Sequence, residues 1–149
     1  MSDDLVLMNT IRDRKAKYCR FVDTKSWDAL AALIVERPKL RFFGVDGALL
    51  YGFDSAATWI ELMRSYLAGA HTIHQIHNSE IEIVSATEVH GIWSMEDYLI
   101  LAEGDDRPAS LHGYGHYHEI WRFVDRSWRI AELDLYRTIL HIEARKVPT

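Results

Sequence analysis

Four long runs in the second half of the chain constrain its fold most. They are TIHQIHNSEIEIVSA, EVHGIWSMEDYLILAE, ASLHGYGHYHEIWRFVD and SWRIAELDLYRTILHIE. Each run is rich in β-branched and aromatic residues, and apolar and polar residues alternate along much of it. The short segments SATE, EGDDRP and DRS separate the runs and carry turn-forming residues. Long strands joined by short turns predict an antiparallel meander.

The first part of the chain has a helical period instead. We predict helices over DLVLMNTIRDRKAKYCRFVD, TKSWDALAALIV and DSAATWIELMRSYLAGA. The expected caps are Asp3 or Asp4 for the first, Ser26 for the second, and Asp54 or Ser55 for the third. Pro38 is expected to stop the second helix, and Gly69 the third.

Two short strands with a Val-Asp-Gly turn are predicted in KLRFFGVDGALLYGF, between the second and third helices. Three helices followed by a mostly antiparallel sheet give an α+β fold. Such a sheet curls around its helices, so we expect a cone-shaped α+β barrel that encloses a pocket.

Composition bounds the organisation and the partners. A length of 149 residues suits one domain, residues 1–149. The net charge of −5 and the lack of any Lys/Arg run argue against nucleic acid and anionic membrane surfaces as partners. The single cysteine, Cys19, excludes an internal disulfide and fits a reducing compartment. The acidic start does not read as a signal peptide, and no apolar run could span a membrane, so we expect a cytoplasmic protein.

Three histidines, at 71, 74 and 77, are spaced three apart in the first long run. Strand alternation puts His74 and Ile76 on one face and the other two histidines on the opposite face, which argues against a three-histidine metal site. Ile81 and Ile83 have the opposite parity to His74. We therefore expect a bulge near Asn78 or Ser79.

The second long run places a carboxylate on an apolar face. Trp93, Met95, Asp97 and Leu99 share this face, and a charge there needs a partner. Taken alone, Asp97 could pair with an arginine or cap a loop.

Tyr18, Asp23 and His74 also have ordinary structural explanations when each is taken alone: a core aromatic, a helix cap and a core histidine. Together with Asp97 they provide what abstraction of a proton beside a carbonyl requires. A carboxylate orients an imidazole that acts as base, and a phenol stabilises the enolate.

The third long run contains two faces of different character. Gly113, Gly115, Tyr117, Glu119 and Trp121 share one face, and glycines suit a wall that a ligand or another backbone approaches closely.

The opposite face carries His112, His116 and His118, which we assign to the outer surface and to subunit contacts. A metal site there is the less favoured alternative. Trp128 and Ile130 are predicted core residues, and Arg137 could reach either the cavity or an interface.

Seven motifs in order carry a family resemblance. They are YCRFVD, SWDALAALI, YGFDSAATWI, TIHQIHNSEIEI, GIWSMEDYL, GYGHYHEIWRF and SWRIAELDLYRT. The chain resembles the SnoaL-like, nuclear-transport-factor-2-like superfamily, in the branch of scytalone dehydratase, bile acid 7α-dehydratase and hexachlorocyclohexane dehydrochlorinase. This resemblance implies catalytic roles for Tyr18, Asp23, His74 and Asp97, no cofactor, and a homotrimer. Scytalone dehydratase has a second catalytic histidine where this chain has IWSME, and His90 does not replace it, so the chain is more similar to the bile acid dehydratase type.

Two classes of function follow. The favoured one is a lyase, most simply a dehydratase, in which Trp93, Met95 and Tyr117 shape a pocket for a polycyclic or steroid-like molecule. An isomerase could use the same proton abstraction. The alternative is a non-catalytic ligand-binding or assembly module similar to a dioxygenase β-subunit. The expected partners are a small hydrophobic molecule and further copies of the chain, with no metal.

Overall fold

A six-stranded curved sheet forms the frame of the protein in the computed structural model, which describes residues 2–104 and 106–146. The strands are β1 (Ile34–Phe43), β2 (Leu49–Phe53), β3 (His71–Ser85), β4 (Glu88–Ile100), β5 (Ser110–Val124) and β6 (Ser127–Glu143). Their order is β2-β1-β6-β5-β4-β3, and only the β1–β6 pair is parallel. The helices are α1 (Asp3–Asp23), α2 (Trp27–Ala31) and α3 (Ala56–Tyr66). The predicted α+β cone fold is confirmed.

Helix α1 packs against β3 through a stripe of buried residues. The stripe consists of Ile11, Lys15, Tyr18, Cys19 and Val22. The expected cap at Asp3 or Asp4 is wrong, because the N-cap is Ser2, whose hydroxyl accepts from the Leu5 amide.

Helix α3 begins as predicted, with Ser55 as its N-cap. Its last helical residue is Tyr66, and Gly69 follows in the left-handed region with φ of 71°.

The second helix is much shorter than predicted. It ends at Ala31, and the chain has entered β1 by Ile34, so Pro38 lies within a strand and does not stop a helix. Ile34 pairs with Ile130 of β6, and the register shifts before pairing resumes at Lys39. Pro38 falls within this irregular stretch, where its missing amide hydrogen breaks no regular ladder bond.

The predicted bulge in β3 is confirmed. The pairing of β3 with β4 shifts register between Ile76 and Ser79. His74 and Ile76 are partly buried before the shift, and Ile81 and Ile83 are partly buried after it. The one extra residue of the bulge therefore keeps the apolar side chains of both halves of β3 on the face that meets the helices.

The main core lies between the helices and the concave face of the sheet. Trp59 from α3 and Trp93 and Trp121 from the sheet are all buried within it, and Trp128 and Ile130 are buried as predicted. In the described part of the chain, no helix combines the length and apolar character needed to cross a bilayer.

Candidate active site

A carboxylate and an imidazole meet where α1 ends beside β3. Asp23 is the last residue of α1, and its Oδ1 lies 2.7 Å from Nδ1 of His74. The same carboxylate accepts the Thr72 hydroxyl and the His74 backbone amide, each at 2.9 Å. Three hydrogen bonds therefore fix the carboxylate, and an Asp-bound Nδ1–H leaves Nε2 as the free basic nitrogen.

The free nitrogen of His74 faces a cavity. His74 lines this cavity, although its side chain is only 9% exposed. Its Nε2 lies 3.8 Å from Oδ2 of Asp97, which faces it across the β3–β4 pair. An imidazole held by one carboxylate and close to a second is well placed to accept a proton and to be stabilised as an imidazolium.

Asp97 is held by an arginine. The carboxylate is 3% exposed and receives two hydrogen bonds from Arg137, at 2.5 and 2.7 Å. Burial alone would lower the pKa of Arg137. The hydrogen bonds to Asp97 and its negative charge together outweigh burial, so the pKa of Arg137 is raised overall. This bidentate ion pair links β4 to β6 across β5. The sequence left Arg137 either in the cavity or at an interface, and the structure places it in the cavity wall.

Gly113 makes this ion pair possible. A Cβ atom on Gly113 would overlap Nη1 of Arg137 and lie 2.9 Å from Oδ1 of Asp97. Gly115 is more tightly constrained, because its Cβ would overlap a backbone atom, the carbonyl oxygen of Tyr136 on β6. The glycines of β5 thus admit an arginine side chain and a neighbouring backbone.

Two phenols line the cavity beside the histidine. Tyr18 and Tyr117 are each 3% exposed, and their rings meet edge to face with centroids 6.1 Å apart. Burial raises the pKa of both hydroxyls well above 10. Both therefore stay protonated through the physiological range and can donate hydrogen bonds to a substrate oxygen.

A buried ion pair lies behind the two phenols. The ammonium of Lys15 contacts the carboxylate of Glu119, and both side chains are fully buried. Strand parity predicts Glu119 on the inner face of β5, whereas no role is predicted for Lys15. The available signal was its position: Lys15 follows Ile11 by four residues and precedes Tyr18 by three, which puts it on the buried stripe of α1.

The cavity has a volume of about 520 Å³ and a mainly apolar wall. Its aromatic lining residues are Tyr18, Phe42, Phe43, Tyr51, Phe53, Trp59, Tyr66 and Tyr117. Apart from tyrosines, the ionisable side chains in the described lining are His74, Asp97 and Arg137.

Two predicted pocket residues lie elsewhere. Trp93 and Met95 are each 1% exposed and pack in the core, outside the described lining of the cavity. Trp93 is held there because its indole N–H donates to Glu119 at 2.8 Å. Met95 is covered by Arg137, whose Nη1 lies 3.9 Å from its sulfur. Tyr117 lines the cavity as expected.

The remaining histidines lie away from the cavity. His112, His116 and His118 alternate with the buried face of β5, and His112 bonds Glu96 at 2.8 Å. His90 bonds Glu88 instead, also at 2.8 Å. Within residues 2–104 and 106–146, no cluster of three or more His, Cys, Asp or Glu side chains could hold a metal ion.

Comparison with known proteins identifies the family. The SnoaL-like domain family matches residues 3–134. The chain belongs to this family. A protein named Probable cyclase FGR4, from Gibberella zeae, is 27% identical over 135 residues, which are 85% of this chain and 88% of that protein.

Solved structures share the fold of this SnoaL-like protein. The "Putative Scytalone Dehydratase" of Novosphingobium aromaticivorans is 23% identical, with a TM-score of 0.76 over 96% of this chain and 91% of that one. Hexachlorocyclohexane dehydrochlorinase (LinA) Type2 is 21% identical, with a TM-score of 0.78 over 98% and 96%. The β-subunit of the benzoate 1,2-dioxygenase of Burkholderia mallei is 13% identical, with a TM-score of 0.70 over 85% and 87%.

Proposed function

We propose that this protein is a lyase, specifically a dehydratase, that removes a proton next to a carbonyl and then expels a hydroxyl group. One observation carries the proposal: the Asp23–His74 pair presents a free imidazole nitrogen to an apolar cavity. The names of its relatives include a cyclase, a dehydrochlorinase and a scytalone dehydratase, and they favour the same class.

His74 is the base of the proposed reaction. Its Nε2 takes the proton from the carbon beside the carbonyl, and the electrons of that C–H bond form an enolate. Asp23 stabilises the imidazolium through its contact with Nδ1. Tyr18 donates a hydrogen bond to the enolate oxygen. When the enolate re-forms the carbonyl, the bond to the β-hydroxyl breaks, and the imidazolium returns its proton, so the products are an unsaturated carbonyl compound and water.

Asp97 holds the polar network in this scheme. Both oxygens of its carboxylate accept hydrogen bonds from Arg137, so we assign Asp97 to holding this arginine and not to proton transfer to the leaving hydroxyl. Its Oδ2 also lies 3.8 Å from Nε2 of His74, close enough to attract the positive charge that the ring carries after it has taken the substrate proton.

An uncharged, fused-ring ketone fits this cavity best. Aromatic and aliphatic side chains make up most of the wall, and the charge of Arg137 is already balanced by Asp97. A permanent charge on a part of the substrate away from the reacting oxygen would lie against apolar side chains without a partner. A volume of about 520 Å³ accommodates several fused rings.

Hydrogen–deuterium exchange tests the first step. The protein in D₂O is mixed with a panel of fused-ring ketones, some with a β-hydroxyl, and NMR follows loss of the α-proton signal. His74→Ala should slow exchange about 10²- to 10⁴-fold, the usual contribution of a general base. His71→Ala is the matched control, because His71 lies on the same strand with its side chain exposed, and it should exchange at the wild-type rate.

The outcome separates the alternatives. Exchange followed by loss of water from the β-hydroxy ketones supports the dehydratase, whereas exchange with migration of a double bond favours an isomerase. If His74→Ala exchanges as fast as the wild type, the lyase is excluded. Co-purification with a large second subunit would then favour an assembly module.

We also propose that the protein is a homotrimer and cytoplasmic. The outer face of the sheet supports self-association, since Tyr98, Tyr136 and Ile139 are 39%, 39% and 48% exposed there. Sedimentation equilibrium gives the number of subunits, and cell fractionation the location.

A further inference from the structure

Lys15 occupies an unusual place for a charged residue. It lies on α1 in the stripe that faces the sheet, and its side chain is fully buried. Its ammonium lies 3.8 Å from the ring centroid of Tyr18 and 3.6 Å from that of Tyr117. The cation therefore touches both phenols of the cavity wall, yet it does not itself line the cavity among the residues described.

Glu119 balances this charge from the other side. Its Oε2 accepts the indole N–H groups of Trp93 at 2.8 Å and Trp121 at 2.9 Å, and its Oε1 contacts Lys15. Two rigid indoles thus anchor the carboxylate in the core, and the carboxylate anchors the ammonium. The positive end of this dipole contacts the phenol rings.

Burying an ion pair is costly, and an apolar pair of similar volume often stabilises a protein equally well. The contacts of the ammonium with both phenol rings are cation–π interactions, which offset part of this cost and couple the charge to the rings. A fixed positive charge in a medium of low dielectric strengthens any negative charge that develops nearby.

We propose that Lys15 is a positioning residue that makes Tyr18 and Tyr117 into an oxyanion-binding site. It fixes both rings and polarises their hydroxyl groups, so that they bind an enolate or phenolate oxygen more tightly than a neutral oxygen. The inference rests on the proposed function, in which Tyr18 binds the enolate oxygen, and it extends that role to Tyr117 and to the charge behind them. The ligand class is an aromatic or enolic oxyanion.

Binding of 4-nitrophenolate tests this site without any turnover. The probe is an anion in mildly alkaline buffer, and 4-nitroanisole is its uncharged analogue of similar shape. The wild type should bind the anion more tightly than the analogue. The double variant Lys15→Met, Glu119→Gln removes both charges together, which avoids leaving one buried charge unpaired. It should bind the anion about tenfold more weakly and the analogue as before.

Variants of the two tyrosines form the second part of the binding experiment. In Tyr18→Phe, Tyr117→Phe, the preference for the anion should be lost, and adding the Lys15 and Glu119 changes should have no further effect. A purely structural pair would instead weaken anion and analogue equally. An equal loss for both ligands, or a wild type without preference for the anion, overturns the proposal.

These measurements also separate the two proposals. An anion preference that depends on Lys15, in a protein that exchanges no α-protons, leaves the oxyanion site standing and removes the lyase. Exchange that depends on His74, in a protein that shows no preference for the anion, supports the lyase and excludes the oxyanion site.

Discussion

Gly113 is the residue whose replacement most directly tests the polar network. A methyl group there would overlap the Arg137 guanidinium and press on Asp97. We expect Gly113→Ala to break the ion pair and to destabilise the protein by about 1–3 kcal/mol, as overpacking does. Any His74-dependent exchange should fall with it. Urea unfolding measures the free energy of unfolding.

Gly52→Ala is the control for this change. A Cβ atom at Gly52 meets only the Leu40 carbonyl oxygen, at an ordinary 3.8 Å. Its unfolding midpoint should stay near that of the wild type. A Gly113→Ala variant as stable as Gly52→Ala would show that the Arg137–Asp97 pair tolerates the added methyl group.

Residue types and strand parity were enough to propose much of the site. His74 and Asp97 could be assigned to the inner face, because alternation places them beside apolar residues. Arg137 could not be assigned, since one sequence cannot show which neighbouring strand lies opposite it. Lys15 was missed because a lysine in a helical stripe is usually solvent-exposed, and Glu119 lies far along the chain.

At the scale of the element, the bulge of β3 makes a deletion test possible. Two residues of β3 oppose one of β4 between the pairs Ile76–Met95 and Ser79–Trp93. Deleting Asn78 makes the pairing regular and leaves Ile76 and Ile81 on their present face. We expect the protein to fold with a free energy of unfolding within about 1 kcal/mol of the wild type, because no buried side chain changes face.

Deletion of Gln75 is the contrasting variant. It exchanges the faces of Ile76 and His77, so an imidazole replaces an apolar group against the core, at a cost of about 2 kcal/mol or more. Urea titration of both variants compares the costs. Equal destabilisation by the two deletions would contradict this account of the bulge.

Elements with a strong local period were predicted well, and elements decided by distant partners were not. The four long strands and the bulge follow from alternation alone. The second helix was predicted to be too long because Leu33 and Ile34 continue its apolar stripe. In the structure Ile34 instead pairs with Ile130 of the parallel strand β6. That partner lies far along the chain, and tertiary pairing overrides the local preference.

For the whole molecule, the sequence predicted the layer arrangement but not the shape of the cavity. The cavity lies between helices and the sheet, so its wall depends on how the hairpin of β1 and β2 closes over α3. Phe42 and Phe53 from the hairpin pack edge to face at 6.3 Å, and Phe42 stacks near Trp59 at 6.4 Å. Such contacts between distant segments decide which aromatic rings face a ligand.

Burial of titratable groups predicts how the stability of the molecule depends on alkaline pH. Burial raises the pKa of the Cys19 thiol from its ordinary value of 9.0 to about 11, and it raises those of Tyr18 and Tyr117 well above 10. Each folded-state pKa exceeds the unfolded one, so the folded protein holds these protons more tightly. The resulting stabilisation is complete below pH 9 and is lost as the pH rises through the folded pKa.

Between pH 9 and 10 the thiol should contribute more to this loss than any single tyrosine, because unfolded tyrosines ionise only near pH 10. We expect Cys19 to account for a loss of about 2 kcal/mol by pH 11. Urea unfolding at a series of pH values should show a falling free energy for the wild type and a flatter line for Cys19→Ala, which has no thiol to titrate. Parallel lines for the two proteins from pH 9 to 10 would show that the buried thiol does not control alkaline stability.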